Sequence, residues 1–216
     1  MRISLLLLCL AAFSLWAQKV AYVNMETVFN EYYKTANENI RFEEERQNFL
    51  TGLEVLRTEF ESTRKEFNDA RGMAQNVLVG EENQKAAAQK AEALGARLTQ
   101  KEEEIIRYQQ QARAEIEERQ QSATNRLLEE LQAQLEKYAA EKGYEMVYEV
   151  SGRTLNRVRV LLVYPKDKEI TEAMVKLVNA GHEAEKAEAD GKLEKMRKAQ
   201  EAKMKQEAAR QAPAAP

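Results

Sequence analysis

Residues 42–77 have the sequence FEEERQNFLTGLEVLRTEFESTRKEFNDARGMAQNV, and the spacing of their apolar side chains decides the fold. Apolar residues recur in alternating steps of three and four, and only Arg46 and Thr63 interrupt the pattern. The residues of this seam are Phe42, Phe49, Leu53, Leu56, Phe60, Phe67, Ala70, Ala74 and Val77. A period of about 3.5 residues keeps one stripe of a helix facing a partner helix, so the pattern predicts a coiled-coil arm.

A second arm follows the first along the chain. Apolar residues from Leu94 to Tyr138 recur at helical spacing, and steps of four near the end of this run indicate a local unwinding of the coiled coil. Gly72 and Gly80, between the two runs, are unfavourable inside a helix. We therefore predict an antiparallel hairpin over residues 34–142 with its tip at residues 80–83.

Sequence typical of β-strands flanks the hairpin on both sides. VAYV at residues 20–23 is apolar on both faces, and YEMVYEV at 144–150 and RVRVLLVY at 157–164 alternate. We expect the last two segments to form a β-hairpin. A short helix follows them, so residues 18–33 and 143–181 together predict a small β body.

The predicted fold class is therefore α+β, mainly α, with a long antiparallel coiled-coil hairpin projecting from a β body that trimerises. We expect self-association because these strands are too short to build the core of a monomer. A resemblance to a known family implies that the number of subunits is three. The residues expected at the subunit contact are Val20, Tyr22, Val23, Tyr148, Val160 and Leu162.

The first 17 residues have the features of a secretory signal peptide. Arg2 precedes an apolar block, and Ala17 offers a small residue for cleavage. Cleavage would remove Cys9, which is the one cysteine of the chain, and Arg2 would leave with it. The mature chain would then carry 32 basic and 36 acidic residues, a balance that does not favour nucleic acid as a partner.

The tail at residues 182–216 is rich in alanine and charged residues and has few large apolar ones. This composition predicts disorder or a single solvated helix, and we expect His182 to be an exposed residue without a ligand. Between Lys192 and Arg210 there are seven basic and three acidic residues, which favours a weak contact with an anionic membrane surface.

The sequence offers no arrangement of residues typical of catalysis. The carboxylates at 43–45 and 102–104 point in successive directions around helices, as on a solvated coiled-coil face. We therefore expect no enzymatic activity, no metal site and no cofactor.

Some apolar residues of the arms lie off the seam, where a two-helix arm cannot bury all of them. They are Leu50, Val55, Met73, Leu78, Val79, Ile106 and Leu128. One interpretation is that they broaden the core of the arm or form trimer contacts. The other is that they bind client chains, because a dispersed apolar surface suits partners of many sequences.

The order of these parts resembles the OmpH/Skp family of periplasmic chaperones. The resemblance rests on KVAYVNMETVFNEYYKT at residues 19–35, on the long hairpin, and on Ile170, Thr171 and the LVN of 177–179. It implies a homotrimer whose hairpins enclose a cavity for unfolded outer-membrane β-barrel proteins. The well-known members are strongly basic, whereas this chain has a net charge of −3.

Two functions fit these features. The preferred one is an ATP-independent holdase of the periplasm, which binds unfolded outer-membrane proteins and prevents their aggregation. The alternative is a non-enzymatic coiled-coil adaptor or spacer of the cell envelope that binds one folded partner.

Overall fold

A computed structural model describes residues 18–211, so the expected signal peptide and its cleavage after Ala17 lie outside the described part. The chain forms two compact units, one of residues 18–40 and 123–211 and the other of residues 41–122. The helices and strands are, in order, β1 (Val20–Val23), α1 (Met25–Asn30), α2 (Tyr33–Ala74), α3 (Glu81–Lys142), β2 (Met146–Glu149), α4 (Thr171–Val178) and α5 (Glu183–Gln211).

The two long helices α2 and α3 pack together as a hairpin, and the fold is mainly α with one small strand pair, as predicted. Leu53 of the predicted seam is buried, and Ala70 packs with Leu94 and Phe67. Thr63 interrupts the apolar pattern but is also buried, because its hydroxyl donates to the backbone carbonyl of Glu59 at 2.9 Å within the helix. A buried hydroxyl with a hydrogen-bond partner costs little.

The tip of the hairpin lies earlier than predicted. The connection between α2 and α3 occupies residues 75–80, whereas residues 81–83 of the predicted tip already belong to α3. Val77, which we placed on the seam, lies in a 3-10 turn and is exposed. The reason is local hydrogen bonding, since the Asn76 side chain accepts from the backbone N–H of Leu78 at 3.0 Å and so competes with the helix.

The two strands pair in parallel, with Ala21 opposite Val147 and Tyr22 opposite Tyr148. On the other side of β1, the backbone N–H of Ile170 donates to the carbonyl of Tyr22 at 2.8 Å. Parallel strands need a long crossover connection, and here the whole helical hairpin is that connection.

The predicted β-hairpin between residues 144–150 and 157–164 is wrong. The turn does form, because the backbone N–H of Thr154 donates to the carbonyl of Val158 at 2.8 Å, and Arg153 and Arg159 make an isolated antiparallel bridge. Beyond this bridge, however, residues 160–164 form no strand. The alternation of this segment predicts a half-buried strand, but β2 already pairs with β1, and most of the segment's apolar side chains stay exposed. Leu161 and Tyr164 are half-buried, and Tyr164 stacks on Tyr22 with 5.1 Å between ring centroids.

One apolar core joins the strands, both ends of the hairpin and α4. Its buried residues are Ala21, Val23, Val28, Tyr32, Leu127, Leu131, Ile170, Met174 and Val178. Their side chains come from both termini of the long crossover, so the core holds these termini next to each other.

The helical segment that follows β1 is interrupted at residues 31–32, between α1 and α2. Asn179 satisfies the backbone groups that the break exposes: its side chain accepts from the N–H of Tyr33 and donates to the carbonyl of Glu31, both at 2.9 Å. Thr171 has a similar role, since its hydroxyl accepts from the backbone N–H of Asn24 at 2.9 Å. Two residues of the motif that carries the family resemblance thus stabilise the N-terminal segment.

Glu149 at the end of β2 fixes the start of α1. Its carboxylate accepts backbone N–H groups of Met25 at 3.2 Å, and of Ser151 and Gly152 at 2.7 Å. Burial raises the pKa of Glu149, but the hydrogen bond from the Ser151 hydroxyl and these backbone hydrogen bonds outweigh burial and leave the pKa below its ordinary value. The charged carboxylate also lies at a helix N-terminus, where the helix dipole favours it.

The tail is a helix, α5, but its first turns are packed, contrary to the expectation of a solvated tail. Ala189 is buried with Ala36 and Ile40 of α2, and Leu193 packs against this cluster. The contact needs only one alanine and one leucine, so the apolar pattern in the tail is too sparse to predict it.

Polar contacts hold the same turns. The ring of His182 is exposed, as expected, and it stacks on Tyr33 with 4.0 Å between centroids. Asn37 donates to Glu185 at 2.7 Å, and Lys186 pairs with Glu31 at 3.0 Å. The start of the tail therefore belongs to the folded body.

A buried tyrosine couples the beginning of α2 to α3. The Tyr32 hydroxyl donates to the Glu130 carboxylate at 2.7 Å, and the Lys34 ammonium donates to the same oxygen. Burial, followed by the hydrogen bond to Glu130, raises the pKa of Tyr32 to about 12. Burial also raises the pKa of Glu130, but the hydrogen bonds from Lys34 and Tyr32 outweigh it, so that pKa lies below its ordinary value.

We predict that Tyr32→Phe lowers the free energy of unfolding by about 1–2 kcal/mol at neutral pH, because a hydrogen bond to a charged group is lost. The pKa of Tyr32 is about 12 in the fold and 10.0 ordinarily, so its contribution is complete below pH 10 and declines as the pH rises towards 12. Urea unfolding across this pH range should therefore show that the difference in free energy of unfolding between wild type and variant becomes smaller. Tyr148→Phe is the control for the loss of one tyrosine. A difference in free energy of unfolding between wild type and Tyr32→Phe that stays constant with pH would contradict the prediction.

Candidate functional site: the exposed apolar surface of the hairpin

Six of the seven apolar residues that we placed off the seam have exposed side chains. They are Leu50, Val55, Met73, Leu78, Ile106 and Leu128, whereas Val79 is half-buried. Leu128 belongs to the unit that contains the strands, and the others belong to the unit of residues 41–122. The hairpin therefore presents apolar side chains along both of its helices without gathering them into one patch.

An aromatic pair connects the two helices of the hairpin. Phe49 of α2 stacks on Tyr108 of α3 with 5.3 Å between ring centroids. A Cβ at position 52 would overlap the Tyr108 hydroxyl, so Gly52 makes room for the ring. Ala112 and Ile116 continue the apolar lining of a groove beside this pair, with a volume of about 310 Å³.

This groove was not predicted from the sequence. Tyr108 lies three residues after Ile105 and four before Ala112, at helical spacing within the second arm. A second signal was the glycine at position 52 in the middle of a heptad pattern. The polar rim of the groove includes the ion pair between Arg119 and Glu45 at 3.0 Å.

The tip of the hairpin brings two of the predicted residues together. Met73 and Val79 line one groove of about 480 Å³, whose floor includes Ala70 and Ala87. Leu78 is 89% exposed in the adjoining turn, and Val77, which we had assigned to the seam, is 85% exposed. The turn is thus more apolar on its surface than the sequence pattern indicated.

Gly80 shapes this turn. Its φ is 68° and its ψ is 150°, a combination that only glycine adopts readily. The backbone N–H of Gln84 then donates to the Gly80 carbonyl at 3.1 Å and starts α3. The exposed position of Val77 and Leu78 therefore depends on one glycine.

Charges of both signs alternate along the hairpin. Residues 34–142 carry 17 basic and 22 acidic side chains. Lys101 of α3 pairs with Glu59 of α2 at 2.5 Å, and hydrogen bonding from Lys101 holds the pKa of Glu59 below its ordinary value. Glu59 is exposed whereas most of the Lys101 side chain is covered, and a pair of this kind at the surface contributes little to stability. Because acidic side chains outnumber basic ones, the hairpin has no net positive field.

The residues that we expect at a subunit contact fall into two groups. Tyr22 is half-buried, stacking on Tyr148 at 5.7 Å, and Val20 lies on the same face of the sheet. Val160 and Leu162 are exposed at 64% and 73%. Val23 differs from all of these, because its side chain is completely buried by its own chain.

Two further apolar side chains were not predicted from the sequence, namely Leu155 and Val163. Both are almost fully exposed, in the same segment as Val160 and Leu162. Leu155 lies between the two segments that we expected to form a β-hairpin, and Val163 falls on the opposite face of the second segment from Val160 and Leu162. Residues 155–163 thus expose several apolar side chains, with Arg157 and Arg159 among them.

Among residues 18–211, no cluster of three or more histidine, cysteine, aspartate or glutamate side chains is arranged to hold a metal ion. In the same part of the chain, no helix combines the length and the apolar character needed to cross a bilayer.

Residues 19–178 match the protein family described as outer membrane protein (OmpH-like), and the chain belongs to this family. Membership supports a chaperone-type role in the periplasm for outer membrane proteins, and the chaperones of this family are non-enzymatic. No curated protein matches the sequence significantly. The tail helix α5 begins at Glu183, after the matched residues.

We predict that Gly80→Ala destabilises the tip by about 1–3 kcal/mol, because alanine cannot adopt this backbone conformation without strain. Gly72→Ala is the matched control. Gly72 lies within α2, an added methyl group meets nothing within 4 Å, and alanine should stabilise the helix by about 1 kcal/mol. Urea unfolding and amide exchange of residues 75–84 measure both effects. Equal effects of the two substitutions would contradict this account of the turn.

Proposed function

We propose that the protein is an ATP-independent holdase of the periplasm that binds unfolded outer-membrane β-barrel proteins between the hairpins of a homotrimer. The observation that carries this proposal is the set of large apolar side chains exposed along both helices of the hairpin. Family membership supports the same class of function.

The distribution of these side chains suits an unfolded client. Val55 and Ile106 lie at similar levels of the hairpin, as the nearby contacts of Glu59 with Lys101 and of Phe49 with Tyr108 indicate. Met73 and Leu78 are near the tip instead. Separated apolar contacts can bind many different chains weakly, and binding of the unfolded state keeps aggregation-prone segments apart.

Apolar contact should matter more than charge in this binding. The hairpin has more acidic than basic residues, so it offers no net positive field to a client. Burial of apolar surface contributes about 25 cal/mol per Å², and salt does not screen it. Charge attraction, in contrast, weakens as the screening length falls to about 8 Å at physiological ionic strength.

The proposed trimer rests on the exposed segment 155–163. Single exposed apolar residues are common, but several within residues 155–163, namely Leu155, Val160, Leu162 and Val163, favour an interaction surface. The outer edge of β2 also carries no third strand in the described part of the chain. A second copy of this chain could cover both the segment 155–163 and the outer edge of β2. Tyr22 and Tyr148 would then lie at the rim of the contact.

Replacement of Leu50, Val55, Ile106 and Leu128 by serine should weaken client binding about tenfold, because each change removes exposed apolar surface. Binding can be measured from the fluorescence anisotropy of a labelled, urea-unfolded β-barrel protein that is diluted into the chaperone. The matched control replaces the exposed polar residues Asn48, Thr58, Gln110 and Gln121 by serine on the same helices.

Helicity and oligomer mass should be the same in both serine variants. The proposal fails if binding collapses in half-molar sodium chloride while the apolar-to-serine variant binds like wild type. It also fails if the protein leaves unfolded clients to aggregate but binds one folded envelope protein at a fixed stoichiometry, as the adaptor hypothesis requires.

Val160→Gln together with Leu162→Gln should convert the trimer into monomers at micromolar concentration, because the contact would lose its apolar surface. Light scattering gives the mass directly. Met204→Gln is the control, since Met204 is 63% exposed but lies on α5, away from the segment. A wild-type protein with monomer mass, or a double variant with trimer mass, would contradict the proposed assembly.

A further inference from the structure

The tail helix α5 has two parts with different contacts. Its first part, from Glu183 to Leu193, is attached to the body by the buried Ala189 and by the ion pair of Lys186 with Glu31. Residues 201–206 of its second part are all exposed, including Met204. The second part is thus held at a fixed point on the protein but leaves its side chains free for another partner.

Charge is distributed unevenly between this tail and the remainder of the chain. From Lys192 to Arg210 there are seven basic and three acidic residues, whereas the rest of the sequence has 26 basic and 33 acidic residues. A positive segment at the end of an acidic protein attracts anionic surfaces, while the acidic remainder does not compete for them.

Three lysines of the tail lie on the same side of α5. A helix turns by about 100° per residue, so Lys195, Lys198 and Lys205 fall within one sector of α5. This sector lies opposite the side that Ala189 and Leu193 turn towards the body. We call these three residues the lysine stripe.

Existing ion pairs do not block the lysine stripe. Among the side chains that the structure describes, Lys195 and Lys205 have no ion pair, and Lys198 pairs with Glu194 of its own helix at 3.3 Å. Exposed pairs within one helix are weak, so Lys198 can exchange its partner for a phosphate group at little cost.

We propose that the lysine stripe binds the surface of an anionic lipid bilayer and so tethers the protein to a membrane. A bilayer fits better than a nucleic acid, because residues 183–211 contain no aromatic side chain on which bases could stack. The mode is surface adsorption rather than insertion, since α5 has no continuous apolar face and its lysines would lie at the level of the headgroups. This function is additional to client binding and uses no residue of the hairpin.

The test is sedimentation of the full mature protein with vesicles in which a third of the lipid is phosphatidylglycerol and the rest is phosphatidylcholine. Wild type should bind at low salt, and half-molar sodium chloride should release it. The variant Lys195→Gln, Lys198→Gln, Lys205→Gln should bind about tenfold more weakly, whereas arginine at the same positions should preserve binding.

The matched control removes three exposed lysines from the hairpin by Lys65→Gln, Lys85→Gln and Lys137→Gln. It has the same net charge as the tail variant but should bind the vesicles like wild type. Circular dichroism and suppression of client aggregation should be unchanged in both variants, which separates failure of this proposal from failure of the holdase function.

Several results would overturn the tether. One is a wild-type protein that does not sediment with anionic vesicles, or that sediments equally well with pure phosphatidylcholine. Another is a hairpin control that loses as much binding as the tail variant, which would show that total charge decides. Binding to the soluble polyanion heparin, without binding to vesicles, would assign the lysine stripe to a polyanionic polymer instead.

Discussion

The parallel pairing of Val20–Val23 with Met146–Glu149 is the interaction on which the remaining structure depends. A parallel pair needs a crossover, and here 122 residues separate the strands. Closure of so long a loop costs only about 0.6 kcal/mol more for each doubling of its length, if the loop can return to its start. The coiled-coil seam and the turn at residues 75–80 provide that return. The body then needs few residues of its own, and Asn179 and Thr171 satisfy the backbone groups at the junctions with α1 and α2.

Features of the fold that depend on neighbouring residues could be predicted from the sequence, whereas features that depend on distant contacts could not. The two arms followed from the heptad seam, and β1 from its four apolar residues, because neighbours in sequence decide these features. The pairing of β2 with β1 could not be predicted from the sequence. Alternation at residues 157–164 indicates a strand but does not identify the strand with which it pairs. The break at residues 31–32 was also missed, because Asn179, which satisfies it, lies 146 positions from Tyr33 along the chain. The docking of Ala189 on Ala36 depends on shape rather than on a repeated apolar pattern.

The candidate site illustrates the same distinction. Seven off-seam residues were identified from the helical period alone, and six of them are exposed. The groove beside Phe49 and Tyr108 was not identified, because it depends on how Gly52 accommodates a ring from the other helix. For the proposed binding of unfolded chains, such a surface needs no fixed catalytic geometry. Such binding requires apolar contacts at several positions along a stable scaffold. It also requires a charge balance that does not select one client. The hairpin has both the contacts and the charge balance.

The most direct test of this account is a disulfide cross-link at the strand pair, because residues 18–216 contain no cysteine. Val20 and Met146 lie opposite each other in the parallel register. The variant Val20→Cys, Met146→Cys should form a disulfide within one chain on mild oxidation, visible as a faster band at monomer mass on a denaturing gel. Met146→Cys with Leu161→Cys tests the antiparallel β-hairpin that the sequence alone suggests, and it should remain reduced. Cross-linking of the second pair but not the first would contradict the parallel closure of the hairpin.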